Sequence, residues 1–396
     1  MLTHRQLFLN HVAQTSDDPL MLEIIKAEGV ELTDINEKIY VDLISGISVS
    51  NVGHRHPQVV KAIKKQLDQY MHLMVYGEYI QSPQTLLAKA LSDCLPKNFN
   101  SCYFVNSGTE AIEGAMKLAK RFTGRTEIIA FKNAYHGSTQ GALSLMSNEY
   151  FKNSFRPLLP GIRFIEFNNK DDLKHITKKT ACVAAEVIQG EAGAIVPEKD
   201  FHHALRQRCD ETGTLLISDE IQTGFGRTGT MFAFEQYDFI PDVLVLAKGM
   251  GGGMPIGTFI SSKEIMNCLT NNPALGHITT FGGHPVSCAA SLATLKIISE
   301  MNLKTEVEEK EKLFREKLVH PKIKNISGKG LMLAVEFKNA GTNKRIIKRC
   351  IENGVITDWF LFAENKMRIA PPLIINNDCI INSCELILKS IDESVK

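Results

Sequence analysis

Much is missing from this 396-residue chain, and each absence narrows its function. There is no block of one charge sign: 45 Lys and Arg stand against 44 Asp and Glu, a net charge of +1. Without a basic or acidic field there is no footprint for a phosphate backbone or a lipid surface. Neither a nucleic acid nor a membrane is expected as a partner, and the cluster Lys344, Arg345, Lys348 and Arg349 reads as a solvated helix face. No apolar run approaches the ~20 residues that a membrane-spanning helix needs. The opening "MLTHRQLFLNHVAQTSDD" holds Leu7, Phe8 and Leu9, but no cationic lead into a long apolar stretch and no small-residue cleavage site, so a cytoplasmic location is expected. The nine cysteines form no CxxC pair, and contexts such as "TACVAAEV" make them small buried hydrophobes in a reducing compartment. There is no GxxxxGK[ST] loop for a nucleoside triphosphate, no internal repeat and no low-complexity linker. "VGHRHP", with His54 and His56, lacks further ligands, and no metal is expected.

What is present is an ordinary globular composition, 44% hydrophobic and 22% charged, in a chain long enough for more than one domain. From about residue 100 to 262, β-rich runs alternate with helical stretches: "CYFVNS", "EIIAFKN", "IRFIEF", "ACVAAEVIQG", "TLLISDEI", "DVLVLAK" and "GTFISS". Such alternation specifies βα units and a mainly parallel sheet. A long charged helical pattern follows from about Pro285 to Leu318, then "KGLMLAVEF", further helices and "KMRIAPPLII", a small α/β unit. The early "GVELTDINEKIYVDLISG" is hairpin-like and a candidate to join that unit. The expected division is an N-terminal segment of residues 1–50 joining the small domain, a large domain of 51–290 and a C-terminal small domain of 291–396.

Two glycine motifs need testing. "GFGRTG", Gly224 to Gly229, satisfies GxGxxG, but a dinucleotide fingerprint requires a helix immediately after the glycines. The following "TMFAFEQYDFIPD" has no helical period, and Asp219 and Glu220 are acidic where a pyrophosphate would approach, so a nicotinamide cofactor is not expected. In "YFVNSGTEAIEGAMKLAK" a strand ends at about Val105 and a helix starts at about Glu110, with Ser107, Gly108 and Thr109 between. The unsatisfied amides and dipole of a helix N-terminus make a site for one phosphate group, although Ser107 or Thr109 could equally be a plain N-cap.

The chemistry concentrates at strand ends. Lys248 closes the apolar run "DVLVLA" and precedes a glycine-rich loop, and Asp219 closes "LLIS". In a doubly wound sheet the carboxyl ends of parallel strands face one crevice, so the phosphate turn, the acid and the lysine meet there. Singly, Lys248 could snorkel at a sheet edge and Asp219 could cap a turn. Together they are what pyridoxal 5'-phosphate requires: a desolvated amine of lowered pKa to condense with its aldehyde, and an acid to keep the pyridine nitrogen protonated as an electron sink.

The motifs "NSGTEA", "NAYHG", "EVIQGEAG", "SDEIQTGFGRTG", "LAKGMGGGMPIG", "TTFGGHPVSCAA" and "KMRIAPPL" occur in the order and spacing of the class III aminotransferases, which the chain resembles over nearly its whole length. The resemblance implies a pyridoxal-phosphate aminotransferase fold, with a seven-stranded mainly parallel sheet in the large domain and a small α/β domain. It implies transfer of an amino group from an ω-amino donor, acetylornithine-like or another ω-amine, to 2-oxoglutarate or pyruvate by a ping-pong cycle; a mutase, racemase or decarboxylase on the same scaffold is the alternative. Lys248 would be the Schiff-base lysine and proton carrier. Asp219 would hold the pyridinium nitrogen and Gln222 the ring phenolate oxygen. Gly108 and Thr109 would bind phosphate through backbone N–H groups, and Tyr135 would stack on the ring. Thr280 would complete the phosphate site of the other subunit in a homodimer with shared active sites. Arg368 would grip a substrate carboxylate, with Glu191 pairing it when the substrate offers none.

Two positions depart from the ornithine, acetylornithine and 4-aminobutyrate enzymes. After "YHG" those enzymes usually carry an arginine for a distal carboxylate, and here the residue is Ser138, which cannot replace a bidentate cation. Ile47 stands where the ornithine enzymes place a substrate-contacting tyrosine, so a less polar or acylated amine is expected. His136 and His284 are expected to pack rather than to act as acid or base, because Lys248 already supplies proton transfer.

Overall fold

The computed structural model describes residues 2–75 and 77–394; the first residue of the expected N-terminal segment and the last two of the expected C-terminal domain lie outside it. All seven β-rich runs of residues 100–262 become strands of one sheet. Its order is Ser101–Val105, Gly257–Ser261, Val243–Leu246, Leu215–Asp219, Thr180–Glu186, Glu127–Phe131 and Ile162–Ile165. Only Gly257–Ser261 runs antiparallel to its neighbours. The central strands Thr180–Glu186, Leu215–Asp219 and Val243–Leu246 are buried at every position, because helices cover both faces.

The helix Gly108–Thr123 is amphipathic and sets Ala111, Ile112, Ala115, Leu118 and Ala119 against one face of the sheet. It starts two residues before the expected Glu110, because Ser107 is extended and caps it through the amide of Glu110 at 3.3 Å. The helical pattern expected from Pro285 to Leu318 is two helices, Pro285–Glu300 and Leu303–Lys317. The first is largely buried and packs on Pro57–Leu67 and Ser82–Asp93, and the second is mostly charged and joins the C-terminal layer. The chain turns at Met301 and Asn302, where the environment changes, so one run of helix formers serves two elements. The expected division at residue 290 falls inside the first helix.

The C-terminal part builds an antiparallel sheet in the order Asn325–Lys329, Met332–Glu336, Ala363–Ile369 and Trp359–Phe360. The early hairpin Glu31–Asp34 and Ile39–Asp42 adds to Ile24–Glu28 on one side and pairs in parallel with Val355–Ile356 on the other. N-terminal and C-terminal segments thus share a sheet as well as an apolar core that includes Leu43, Phe337, Ile346 and Ile369. Among the described residues no helix is long and apolar enough to cross a membrane.

Candidate active site

At the carboxyl ends of the parallel strands lies a cavity of about 540 Å³. Its lining includes Gly108, Thr109, Tyr135, Glu191, Asp219, Gln222 and Lys248, so seven of the nine residues singled out from the sequence meet in one place. Arg368 sits behind Glu191. Thr280 does not line the cavity of its own chain; it lies on the exposed loop before the helix Pro285–Glu300. Ile47 is also absent from the lining, and Val49 from the same turn supplies the apolar wall instead.

Lys248 ends its strand abruptly. Its φ of +44° puts a non-glycine residue in the left-handed region, a conformation held only where the surroundings impose it. The turn projects the amine into the cavity. Burial pushes its pKa below 10.5, opposed by the carboxylates of Glu191, Asp219 and Glu186 and assisted by the positive charge of Arg368.

Asp219 is 4% exposed and accepts hydrogen bonds on both oxygens. Oδ1 takes the amide of Ile221 at 3.0 Å, and Oδ2 lies 2.7 Å from Nδ1 of His136. The sequence reading assigned His136 to packing, and the fold gives it this specific partner as well. Burial would lower the His136 pKa, but the hydrogen bond and charge of Asp219, helped by Glu186, raise it overall. Glu186, which sequence reading missed, completes the group from the end of the adjacent strand. Its carboxylate accepts the amides of Tyr135 at 3.0 Å and Gly190 at 2.7 Å, and burial pushes its pKa up to about 7. The register pairing Glu186 with Asp219 was the signal, visible only once the two strands are adjacent.

The helix N-terminus opens onto the same cavity. Gly108 and Thr109 are its first residues, and their amides have no acceptor within the helix. The Thr109 hydroxyl is 2.7 Å from that of Thr139, which donates to Glu113 at 2.6 Å, fixing the turn from below. Gly137 explains the glycine of "NAYHG": its φ is +131°, and a Cβ there would lie 2.3 Å from the Thr109 hydroxyl oxygen. At Gly190 a Cβ would lie 2.0 Å from Gln222 Oε1, so a side chain there would displace the end of Gln222. Tyr135 is half-buried, with its hydroxyl 3.0 Å from that of Ser138.

Arg368 is 3% exposed and held by two carboxylates. Its Nη2 is 3.1 Å from Glu191, and its Nε donates to Asp358 at 2.8 Å. Its guanidinium lies 4.3 Å from the Phe360 ring centroid. Asp358 is a second residue that sequence reading missed. It reaches Arg368 across the hairpin, and its backbone carbonyl also accepts the Arg368 amide at 2.9 Å.

A third missed residue is Arg227 of "GFGRTG". No helix follows these glycines, only turns and the short Ala233–Gln236, as expected for a failed dinucleotide fingerprint. Fully buried Arg227 donates instead to Leu331 O at 2.9 Å, Pro371 O at 2.5 Å and Asn51 Oδ1 at 2.5 Å. It ties the "GFGRTG" turn to Asn51 and to the segment that follows Arg368.

The donor set fits pyridoxal phosphate: helix-terminal amides for one phosphate, a buried aspartate for a ring nitrogen, and a lysine of lowered pKa lining the same cavity. The aminotransferase class-III family model matches residues 12–391. The chain belongs to the class III aminotransferases and is a pyridoxal-phosphate-dependent transaminase. It is 39% identical over 387 residues to the acetylornithine aminotransferase of Methanocaldococcus jannaschii, covering 94% of each chain. It is 38% identical over 359 residues to that of Methanopyrus kandleri, covering 90% of each. Among solved structures, the ornithine aminotransferase of Toxoplasma gondii, described with partial occupancy of pyridoxal phosphate at its active site, superposes with a TM-score of 0.91 at 27% identity, covering 98% of this chain and 94% of that one.

Proposed function

We propose that Lys248, Asp219, Gln222, Gly108, Thr109 and Tyr135 hold pyridoxal phosphate in this cavity, and that Arg368 and Glu191 select the substrate. The observation that carries this reading is Lys248 in a strained turn, its amine desolvated, on the same cavity wall system as Asp219 and the helix N-terminus. When bound, the cofactor supplies an electron sink for the substrate carbon that loses a proton. The chain supplies the rest. Nζ of Lys248, whose pKa burial lowers, would take that proton and hold it for delivery within the same cavity. Asp219, oriented by His136 and the Ile221 amide, would hold the ring nitrogen. Gly108 and Thr109 fix the phosphate without a cationic side chain.

Arg368 would bind the carboxylate of 2-oxoglutarate or pyruvate after Glu191 withdraws, and Asp358 would keep the guanidinium aimed throughout. With Glu191 in place the same pocket accepts an ω-amine that lacks a carboxylate. Thr280 would act in the partner of a homodimer, a reading supported by the exposed apolar side chains of Met71, Ile80 and Phe281 on segments next to its loop. The nine free cysteines suit a cytoplasmic, reducing setting. The test is a two-stage titration of the cofactor-loaded protein: an amine donor should convert the cofactor to its amine form, and an oxo acid should restore the starting spectrum. A Lys248→Ala protein that completes both stages at the wild-type rate would contradict the assignment.

A further inference from the structure

Beside the main cavity is a second one of about 460 Å³. Tyr135 and Ser138 line both, so the two adjoin at these side chains. The outer cavity is walled by Leu143, Met146, Phe151, Phe155 and Leu361, with the neutral Thr15 and Gln140 as its other polar residues, and no charged side chain is among its described lining residues. In the single chain Phe155 is 57% and Leu361 37% exposed, which puts apolar surface at the mouth of the site.

Cations are near, but each is already engaged. Lys152 and Arg156, on the same segment as Phe151 and Phe155, both turn to Glu149, at 3.3 Å and 2.7 Å respectively. Lys152 also lies over the Phe164 ring at 4.6 Å. Arg368 is held by Glu191 and Asp358. A carboxylate entering the outer cavity would find only neutral partners, the Tyr135 and Ser138 hydroxyls 3.0 Å from each other, Thr15 and Gln140, among apolar walls and with no cation to pair it. Desolvating a carboxylate against such partners is unfavourable, whereas alkyl or aromatic carbon is favoured there.

We infer that the outer cavity receives the remote end of the amino donor, and that this end is uncharged and largely apolar: a primary amine with an alkyl or aryl tail. The inference rests on the transaminase reading of the main cavity. It separates this chain from an enzyme of acetylornithine, whose end remote from the reacting amine keeps a free carboxylate.

The experiment compares hexylamine with aminohexanoate, which has the same chain and a terminal carboxylate, as donors to the cofactor-loaded protein. Binding of the unreactive pair hexanol and hexanoate is measured in parallel by thermal shift. Hexylamine should convert the cofactor at least about tenfold faster, and hexanol alone should stabilise the protein, because an unpaired charge in an apolar pocket is strongly rejected. Ser138→Arg, placed at an exposed position at the junction, should reverse both preferences. Equal or better use of aminohexanoate, with hexanoate binding, overturns the inference while leaving the transaminase reading intact. If neither amine converts the cofactor, the transaminase reading fails for such donors, and the binding arm still decides the pocket: preferential binding of hexanoate overturns the inference and preferential binding of hexanol supports it.

Discussion

Glu191→Gln separates the two half-reactions. In the wild-type protein Glu191 sits 3.1 Å from Arg368 and also accepts the amide of Leu361 at 3.0 Å, so an incoming oxo acid must displace a buried ion pair. Removing one partner of such a pair usually costs about 3–5 kcal/mol. Here Asp358 continues to neutralise Arg368 at 2.8 Å, and glutamine retains an oxygen that can accept from the guanidinium. Halving the range gives about 2 kcal/mol, or about 30-fold in an equilibrium constant. The oxo acid no longer competes with a charged side chain, so its KM should fall by about 10- to 30-fold with little change in kcat. The amine half-reaction should move the other way, because an ω-amine without a carboxylate leaves Arg368 only half paired. Stopped-flow measurement of each half-reaction, over a range of donor and of acceptor concentration, reads both. An unchanged KM for the oxo acid, or equal loss in both directions, would refute the exchange of Glu191 for substrate carboxylate.

The remaining predictions rest on other parts of the site. Removal of Glu191 also deletes the carboxylate that most raises the Lys248 pKa, so the rising limb of the amine half-reaction should shift to lower pH in Glu191→Gln; a shift to higher pH would contradict the electrostatic account. Glu186 has a folded pKa raised from 4.5 to about 7, so the folded state binds more protons across that window and its contribution to stability is lost as pH rises through it. The loss is at most about 3 kcal/mol, and Glu186→Gln should flatten the denaturant midpoint between those pH values; an unaltered profile would show that Glu186 ionises normally. Asp219→Asn should retain the fold and slow transamination by at least about 100-fold, since it removes the charge opposed to the ring nitrogen and the partner of His136. Arg227→Met should destabilise the protein by about 3 kcal/mol or more in chemical denaturation, because three buried acceptors lose their donor.

The sequence made some of this legible for clear physical reasons. Buried parallel strands are nearly continuous runs of Val, Ile, Leu and Ala, so "DVLVLA" and "LLIS" announced both strands and the two polar residues that end them. Helix boundaries were less legible, because Pro285 to Leu318 is filled with helix formers on both sides of a break that packing dictates. Glu186 and Asp358 were invisible because their importance comes from neighbours brought close by the fold: Glu186 beside Asp219 through strand register, Asp358 beside Arg368 across a hairpin. Ser138 was legible as a departure, but the apolar cavity beyond it was not, since its walls come from four separate stretches of chain. Ile47 shows the opposite case: its place beside the cavity was expected, and the turn gives that place to Val49.

The central claim is that Lys248 is the residue joined to the cofactor. Borohydride reduction of the pyridoxal-phosphate-loaded protein, followed by peptide mass mapping, tests it directly. The account predicts the added cofactor mass on the peptide containing Lys248 and nowhere else. The same mass on a different lysine, or none on Lys248 at full cofactor loading, would contradict it.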